Sequence, residues 1–358
     1  MEQTVAVRAA APLGPHRRLC ASDHVVWRGK LPRQQPARHY VYIHIPKAGG
    51  ASFMHDVPGL MPKNSTLRGS EEKGALSPTT LEKRRRIGSK SSLVILLRHP
   101  LKLAYSQYTY CASELHKGHF PSFDKWLSNF AHSPAPTSFH CYDPTNIQLR
   151  FTGGVAGESN SRAFGPFQRR GTCFSPERRS GIAACFNSAR ARLAAKFSFV
   201  GLTDLYTESL CLFRHVATGG APLPSSCACG RKGPKHANIT HGTAKHSLSD
   251  LSPQQLRRLA QLVEEDLHVY MHALWLFQAQ ARRIEEQSGV NIVCPAKLEA
   301  VWLDVVGSAC ALARDRERVA ASLRMYGRTC PSATGLPTDR LPLSLRVNTK
   351  VSSRSTIT

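Results

Sequence analysis

Tyr40–Phe53 reads YVYIHIPKAGGASF, and this stretch decides what kind of fold the chain can adopt. Val41, Ile43 and Ile45 alternate onto one face of a strand that Pro46 ends. Lys47 follows, and Gly49-Gly50 break the chain before a helix begins near Ala51. A strand, a glycine turn and a helix N-terminus together make an anion cradle. Glycine has no Cβ, so backbone N–H groups can approach an anion closely, and the helix adds its positive end. Lys47 contributes a mobile point charge. The order of residues excludes a Walker loop, because the lysine precedes the glycines and no GxxxxGK[ST] occurs in the chain. The competing reading of the same residues is a strand-to-helix turn with an incidental lysine.

Downstream, Leu93–Leu97 is an unbroken apolar run with β-branched members, the pattern of a strand buried on both faces of a parallel sheet. It ends at Arg98. Pro100 then occupies the first position of a helix expected to run to about Ala112, with Ser106 two turns into it. The chain therefore has two strand-to-helix corners, one carrying Lys47 and the other Arg98 with Ser106. In an open α/β sheet flanked by helices, both corners lie at the carboxyl edge where ligands bind. A ligand with two separate phosphate-type groups would span them.

HIPKAGGASF followed by VILLRHPLKLAYSQY resembles the 5′- and 3′-phosphosulfate-binding motifs of carbohydrate sulfotransferases, HIPKTGGTS and LR(D/E)PxxRxxS. Tyr142–Phe151, which includes Asn146, Gln148 and Arg150, is similar to that family's NxQxR segment. Phe199–Asp204 with Glu208-Ser209-Leu210 is similar to its FVGLTExxxxSL segment. The four segments keep the family's order and cover roughly residues 40 to 285. The resemblance implies a P-loop-like three-layer α/β fold and sulfuryl transfer from 3′-phosphoadenosine 5′-phosphosulfate to a carbohydrate hydroxyl, without a metal. It implies that Lys47 contacts the phosphosulfate and the leaving oxygen, that the stretch Gly49, Gly50, Ala51, Ser52 and Phe53 forms the cradle, and that Arg98 and Ser106 bind the 3′-phosphate. A base must take the acceptor's proton. His55, the one histidine between the two motifs, is the candidate, with His99, Glu71, Glu72 and Glu82 as others. The acceptor would be an anionic or neutral glycan, and the compartment the Golgi lumen or secretory pathway. The chain departs from the family pattern at Ala48 and Ala51, where the motifs have threonine, at His99, where they have an acid, and at Leu103, where they have arginine, with Lys102 beside it. A catalytically degenerate relative is the alternative those departures raise.

Residues 1–38 read as a flexible basic segment, 39–290 as the sulfotransferase domain, 291–330 as a helical extension and 331–358 as a disordered tail. Thr203 is placed to cap a helix that Gly219-Gly220 ends. Ser252 with Gln255 forms a capping-box signature ahead of Leu256, Leu259, Val263, Leu267, Tyr270, Leu274 and Phe277, spaced as one long core helix. Lys83-Arg84-Arg85-Arg86 is either a solvated face or an anion-binding rim. The arginine-rich stretch from Gly153 to Arg179 is either a surface insertion or a lip for an anionic acceptor.

Composition limits the partners without choosing among them. In 358 residues, 41% are hydrophobic, enough for a substantial core, and the net charge of +24 implies anionic partners. A basic nucleic-acid- or polyanion-binding protein is the rival class, yet no recognition helix, zinc-finger spacing or RNP-type strand is found, so no specific nucleic acid is expected. No apolar run is long enough to span a membrane. Eleven cysteines leave at least one without an intrachain partner; Cys111 with Cys141 and Cys173 with Cys185 are candidate pairs. Sequons at Asn64 and Asn238 would suit a secretory lumen. Cys227 and Cys229 with His236 and His241 could instead hold zinc, although their spacing is irregular.

Overall fold

Alternation in the first strand accounts for only half of its burial. In the computed structural model, β1 (His39–His44) buries Tyr40, Val41, Tyr42 and Ile43 in succession, so both faces of the strand are covered. Tyr40 and Tyr42 supply the second face. Tyr42 packs on Phe53 at 4.9 Å between ring centres, and Tyr40 packs edge-on to Phe213 at 5.3 Å. The structure describes residues 39–71, 91–115, 120–131, 142–153, 179–234, 236, 245–312 and 316–330.

The strands β1, β2 (Thr66–Glu71), β3 (Ser91–Leu97) and β4 (Phe197–Leu202) form one four-stranded sheet in the order β2-β1-β3-β4, parallel throughout. Helices flank it, and the fold is α/β. The continuous burial of Leu93–Leu97 meets the expectation for a central strand covered on both faces. β2 is an edge strand that the sequence did not announce.

Helix α1 (Gly50–Asp56) follows β1, and α2 (Pro100–Tyr110) follows β3, continuing as a π-type turn through Leu115. Then come α3 (Phe123–Ala131), α4 (Ile147–Gly153) and α5 (Arg179–Lys196). After β4 and a short 3-10 turn, α6 (Tyr206–Ala217) ends where Gly219 and Gly220 return their N–H groups to Val216 and His215. The long C-terminal helix is two: α7 (Pro253–Leu262), opened by the Ser252–Gln255 capping box, and α8 (Glu264–Ser288). Val263, at φ −116° and ψ 23°, separates them.

The last helices, α9 (Pro295–Leu312) and α10 (Arg316–Arg324), are not an appendage. Trp302, Val305, Val306, Ala309, Val319 and Leu323 belong to the same buried cluster as the sheet. Disulfides Cys211–Cys227, Cys229–Cys294 and Cys310–Cys330 fasten this half of the chain. Cys227 and Cys229 are thus oxidised in separate bridges, which removes them as zinc ligands. The pairings proposed with Cys141 and with Cys173 lie outside the described residues, as do Lys83–Arg86, the basic residues between 154 and 178, Glu72, Glu82, Asn238, His241 and both termini. Cys229–Cys294 closes a loop of 65 residues. Cys229→Ser is therefore expected to cost roughly 4 kcal/mol by the chain-entropy model, measured by denaturant unfolding. An unchanged midpoint would show that the bridge constrains nothing.

Candidate functional site

The chain leaves β1 for β2 on one side, then returns to place β3 on the other. The order reverses between β1 and β3, the topological switch point where open α/β sheets leave a crevice beyond their carboxyl ends. Lys47 lies just past the end of β1 and Arg98 at the end of β3, so the two corners meet at that point. The Arg98 guanidinium donates through Nη1 to the Lys47 carbonyl at 2.8 Å.

Three consecutive carbonyls of the first corner are held from outside. Gln107 Nε2 donates to Pro46 O at 3.2 Å, Arg98 Nη1 to Lys47 O, and Thr203 Oγ1 to Ala48 O at 2.8 Å. In a planar trans peptide the following N–H is antiparallel to the carbonyl. Anchoring these oxygens therefore turns the N–H groups of Lys47 and Gly49 the opposite way, while the Ala48 N–H closes a turn on Ile45 O. Lys47 at φ 69° and Gly49 at φ 81° adopt left-handed conformations. For Lys47 this is an unfavourable conformation that the three anchors enforce. Gly49 occupies the helix cap without a side-chain acceptor. The first helical bond runs from Phe53 N to Gly49 O, so Gly50, Ala51 and Ser52 lie ahead of any i−4 acceptor. A Cβ on Gly50 would lie 2.0 Å from the His44 ring, which explains the second glycine.

Phe53 belongs to the core, not the cradle. Its ring is fully buried among Tyr42, Phe199 and Phe213, and its N–H is used by Gly49. Ala48 is likewise fully buried. The Lys47 ammonium lies 4.2 Å from the Tyr110 ring centre, and Tyr142 lies beside Tyr110 at 6.1 Å.

The second corner is fixed as firmly. The Gln148 amide accepts from Arg98 N at 3.0 Å and donates to Arg98 O at 2.9 Å, pairing with the backbone as a further strand would. Gln148 is set in turn by Asp266, whose carboxylate accepts the N–H groups of Gln148 and Leu149 at 3.0 and 2.7 Å. Asn146 accepts those of Glu265 and Asp266. Helices α4 and α8 thus cap each other, and the break at Val263 gives α8 the free N-terminus this requires. Burial pushes the Asp266 carboxyl up to about 7, against the opposing pull of the two N–H donors and Arg150. A folded-state value above the unfolded one means the folded chain holds the extra proton between about pH 4 and pH 7. Stability should therefore fall as pH rises through that window, by up to roughly 1.4 kcal/mol per pH unit. Chemical denaturation across that range should show the slope in the wild type and its loss in Asp266→Asn; an equal slope in both would disprove the assignment.

Asp204, beyond β4, joins the corner to the C-terminal helices. Its Oδ2 accepts from His99 N at 3.0 Å and from Tyr270 Oη at 2.7 Å, and Oδ1 faces Lys102 Nζ at 3.0 Å. Lys102 also reaches Asp304 of α9 at 2.8 Å. It is held between two carboxylates, and Leu103 is buried, so neither stands open in place of the motif arginine. His99 is buried, and neither ring nitrogen meets a partner in hydrogen-bond geometry. Burial lowers its pKa, against the opposing pull of the Asp304 and Asp204 carboxylates.

Ser106 lies on the buried side of α2, where its carbonyl accepts from Thr109 Oγ1 at 3.2 Å. His55 is on the exposed side of α1 with Nδ1 3.0 Å from Asp56 Oδ1. Asn64, of the first sequon, is exposed in the turn before β2. Sequence reading missed Gln107 and Asp266, and gave Asp204 no role beyond its place in a family-like segment; the side chains of all three act on backbone far along the chain. It also took Thr203 for a helix cap, whereas its hydroxyl holds the cradle.

Comparison with family models, curated proteins and solved structures finds no match for this chain. Among the described residues, no helix is long and apolar enough to cross a membrane, and no group of side chains is arranged to hold a metal ion. The three disulfides fit an oxidising compartment, extracellular or lumenal.

Proposed function

We propose that this chain is a sulfotransferase that moves a sulfuryl group from 3′-phosphoadenosine 5′-phosphosulfate to a hydroxyl of a carbohydrate, on a P-loop-like three-layer α/β fold in the secretory pathway. The observation that carries the reading is the cradle at the β1/β3 switch point: three anchored carbonyls, outward N–H groups, Lys47 at its lip and Arg98 bonded to it. The donor supplies a sulfuryl group bonded to a phosphate that can depart. The N–H groups from Gly49 to Ser52 would hold that phosphate, and Lys47 would neutralise charge on the leaving oxygen. Arg98 has further N–H donors beyond the one on Lys47 O, and its fork suits the 3′-phosphate, with Ser106 two turns into the helix that follows. The order of the four family-like segments supports the same reading.

Calorimetry with 3′-phosphoadenosine 5′-phosphate, AMP and ATP tests donor recognition. Binding of the bisphosphate at least about tenfold tighter than AMP, a difference of roughly 1.4 kcal/mol, is expected. Equal or absent binding would remove the enzyme assignment. A panel of glycans with labelled donor then identifies the acceptor.

A further inference from the structure

Asp56 closes the last turn of α1, and both of its oxygens are engaged. Oδ1 lies 3.0 Å from His55 Nδ1, and Oδ2 accepts from Tyr206 Oη at 2.9 Å. The carboxylate is almost out of solvent, its side chain 4% exposed, whereas the His55 side chain is 66% exposed. An ionised carboxylate can only accept, so the facing Nδ1 must carry the imidazole proton. Nε2 is then left with the basic lone pair. Tyr206 opens α6 directly after the turn bearing Thr203 and Asp204, so one segment both anchors the cradle and orients Asp56. Burial and the bond to Asp56 push the Tyr206 phenol above its ordinary value, so it stays a donor.

His55 follows Ser52 by three residues and Ala51 by four, which puts the three on one face of α1. Helical Cα–Cβ bonds tilt toward the N-terminus. The Cα–Cβ bond of His55 therefore tilts toward the end of α1 that carries the cradle, one turn away, while Nδ1 is held by Asp56.

On the sulfotransferase reading, we propose that Asp56 and Tyr206 are positioning residues that hold His55 in its Nδ1–H tautomer and so present Nε2 as the base for the acceptor hydroxyl. Nε2 takes the hydroxyl proton as the acceptor oxygen bonds to sulfur. The bond between sulfur and the bridging phosphate oxygen breaks, and its electron pair leaves with the adenosine bisphosphate. Asp56 then faces an imidazolium, which it stabilises.

The test is ¹⁵N NMR of the full chain with labelled histidine, in the wild type, Asp56→Asn and Tyr206→Phe, with His55→Gln to assign the signal among the 16 histidines. The wild type should show the Nδ1–H form. Asp56→Asn, whose amide can donate to Nδ1, should show the Nε2–H form and lose turnover by about a hundred- to ten-thousandfold with little change in acceptor KM. Tyr206→Phe, which leaves Asp56 in place, should keep the wild-type tautomer in reduced proportion and lose roughly tenfold. An Nε2–H form in the wild type, an unchanged tautomer in Asp56→Asn, or inverted tautomer with undiminished turnover would each overturn the proposal. The tautomer is read without donor or acceptor, so its failure is distinct from a failure to bind the bisphosphate, which would overturn the sulfotransferase reading instead.

Discussion

Lys47→Gly is expected to abolish most sulfuryl transfer, by about a hundred- to a thousandfold in kcat, while leaving the fold at least as stable as the wild type. Glycine adopts the left-handed conformation at position 47 without the steric cost that lysine bears at φ 69°, a relief of about 1 kcal/mol. The peptide groups on either side keep their anchors, so the cradle survives and only the ammonium is lost. Turnover and thermal unfolding measured together check both halves. Retained turnover would remove Lys47 from the chemistry, and a collapsed melting temperature would mean that the side chain itself supports the loop. Arg98→Ala should lose as much activity for two reasons that Arg98→Lys can separate. Lysine restores a positive charge but cannot both hold the Lys47 carbonyl and fork onto a phosphate. If Arg98→Lys recovers full activity, charge alone matters at that corner.

Asp204→Ala is expected to be the most destabilising single change in this region, at roughly 3 to 5 kcal/mol. It would leave the His99 N–H and the Tyr270 hydroxyl buried without their acceptor and would remove one of the two carboxylates on Lys102. The same residue sets an acid limit. Burial alone would raise its pKa, but Lys102, His99 and the bond from Tyr270 hold it at about 2. A folded value below the unfolded one means stability present above about pH 4 is lost as pH falls toward 2, roughly 2 kcal/mol in all. Asp204→Asn should remove that part of the acid transition, and acid unfolding followed by circular dichroism would detect it. An identical acid midpoint in the variant would assign the transition to other carboxylates.

The corners were legible in the chain because their signals are local. A continuous apolar run, a proline at the first helical position and a pair of glycines each mark a boundary within a few residues. The capping box at Ser252 and the helix stop at Gly219-Gly220 were legible for the same reason. The edge strand β2, TLRGSE, was not, since it carries one aliphatic residue and a glycine and is ordered by pairing with β1. The break at Val263 was hidden because apolar spacing runs through it unchanged. What creates the break, Asn146 on the new N-terminus, lies 119 residues earlier. The anchors of the cradle follow the same rule: Gln107 and Thr203 act across 61 and 155 residues, where no periodicity reaches. Lys47, Gly49, Gly50 and Arg98 could be picked out from composition and order. What holds them in place could not.

The bridge from Asp304 through Lys102 to Asp204 has a consequence for how short this molecule can be made. Ending the chain after Gly289 would look harmless if the boundary were drawn from family-like segments alone. Such a truncation would strip Asp304 from Lys102, Lys297 from Glu208 and Arg318 from Glu265, bare the surface now covered by Trp302 and Val305, and leave Cys229 as an orphan thiol. The minimal folded unit therefore extends through Cys330, and the terminal helices act as a brace for the Arg98 corner rather than as an accessory.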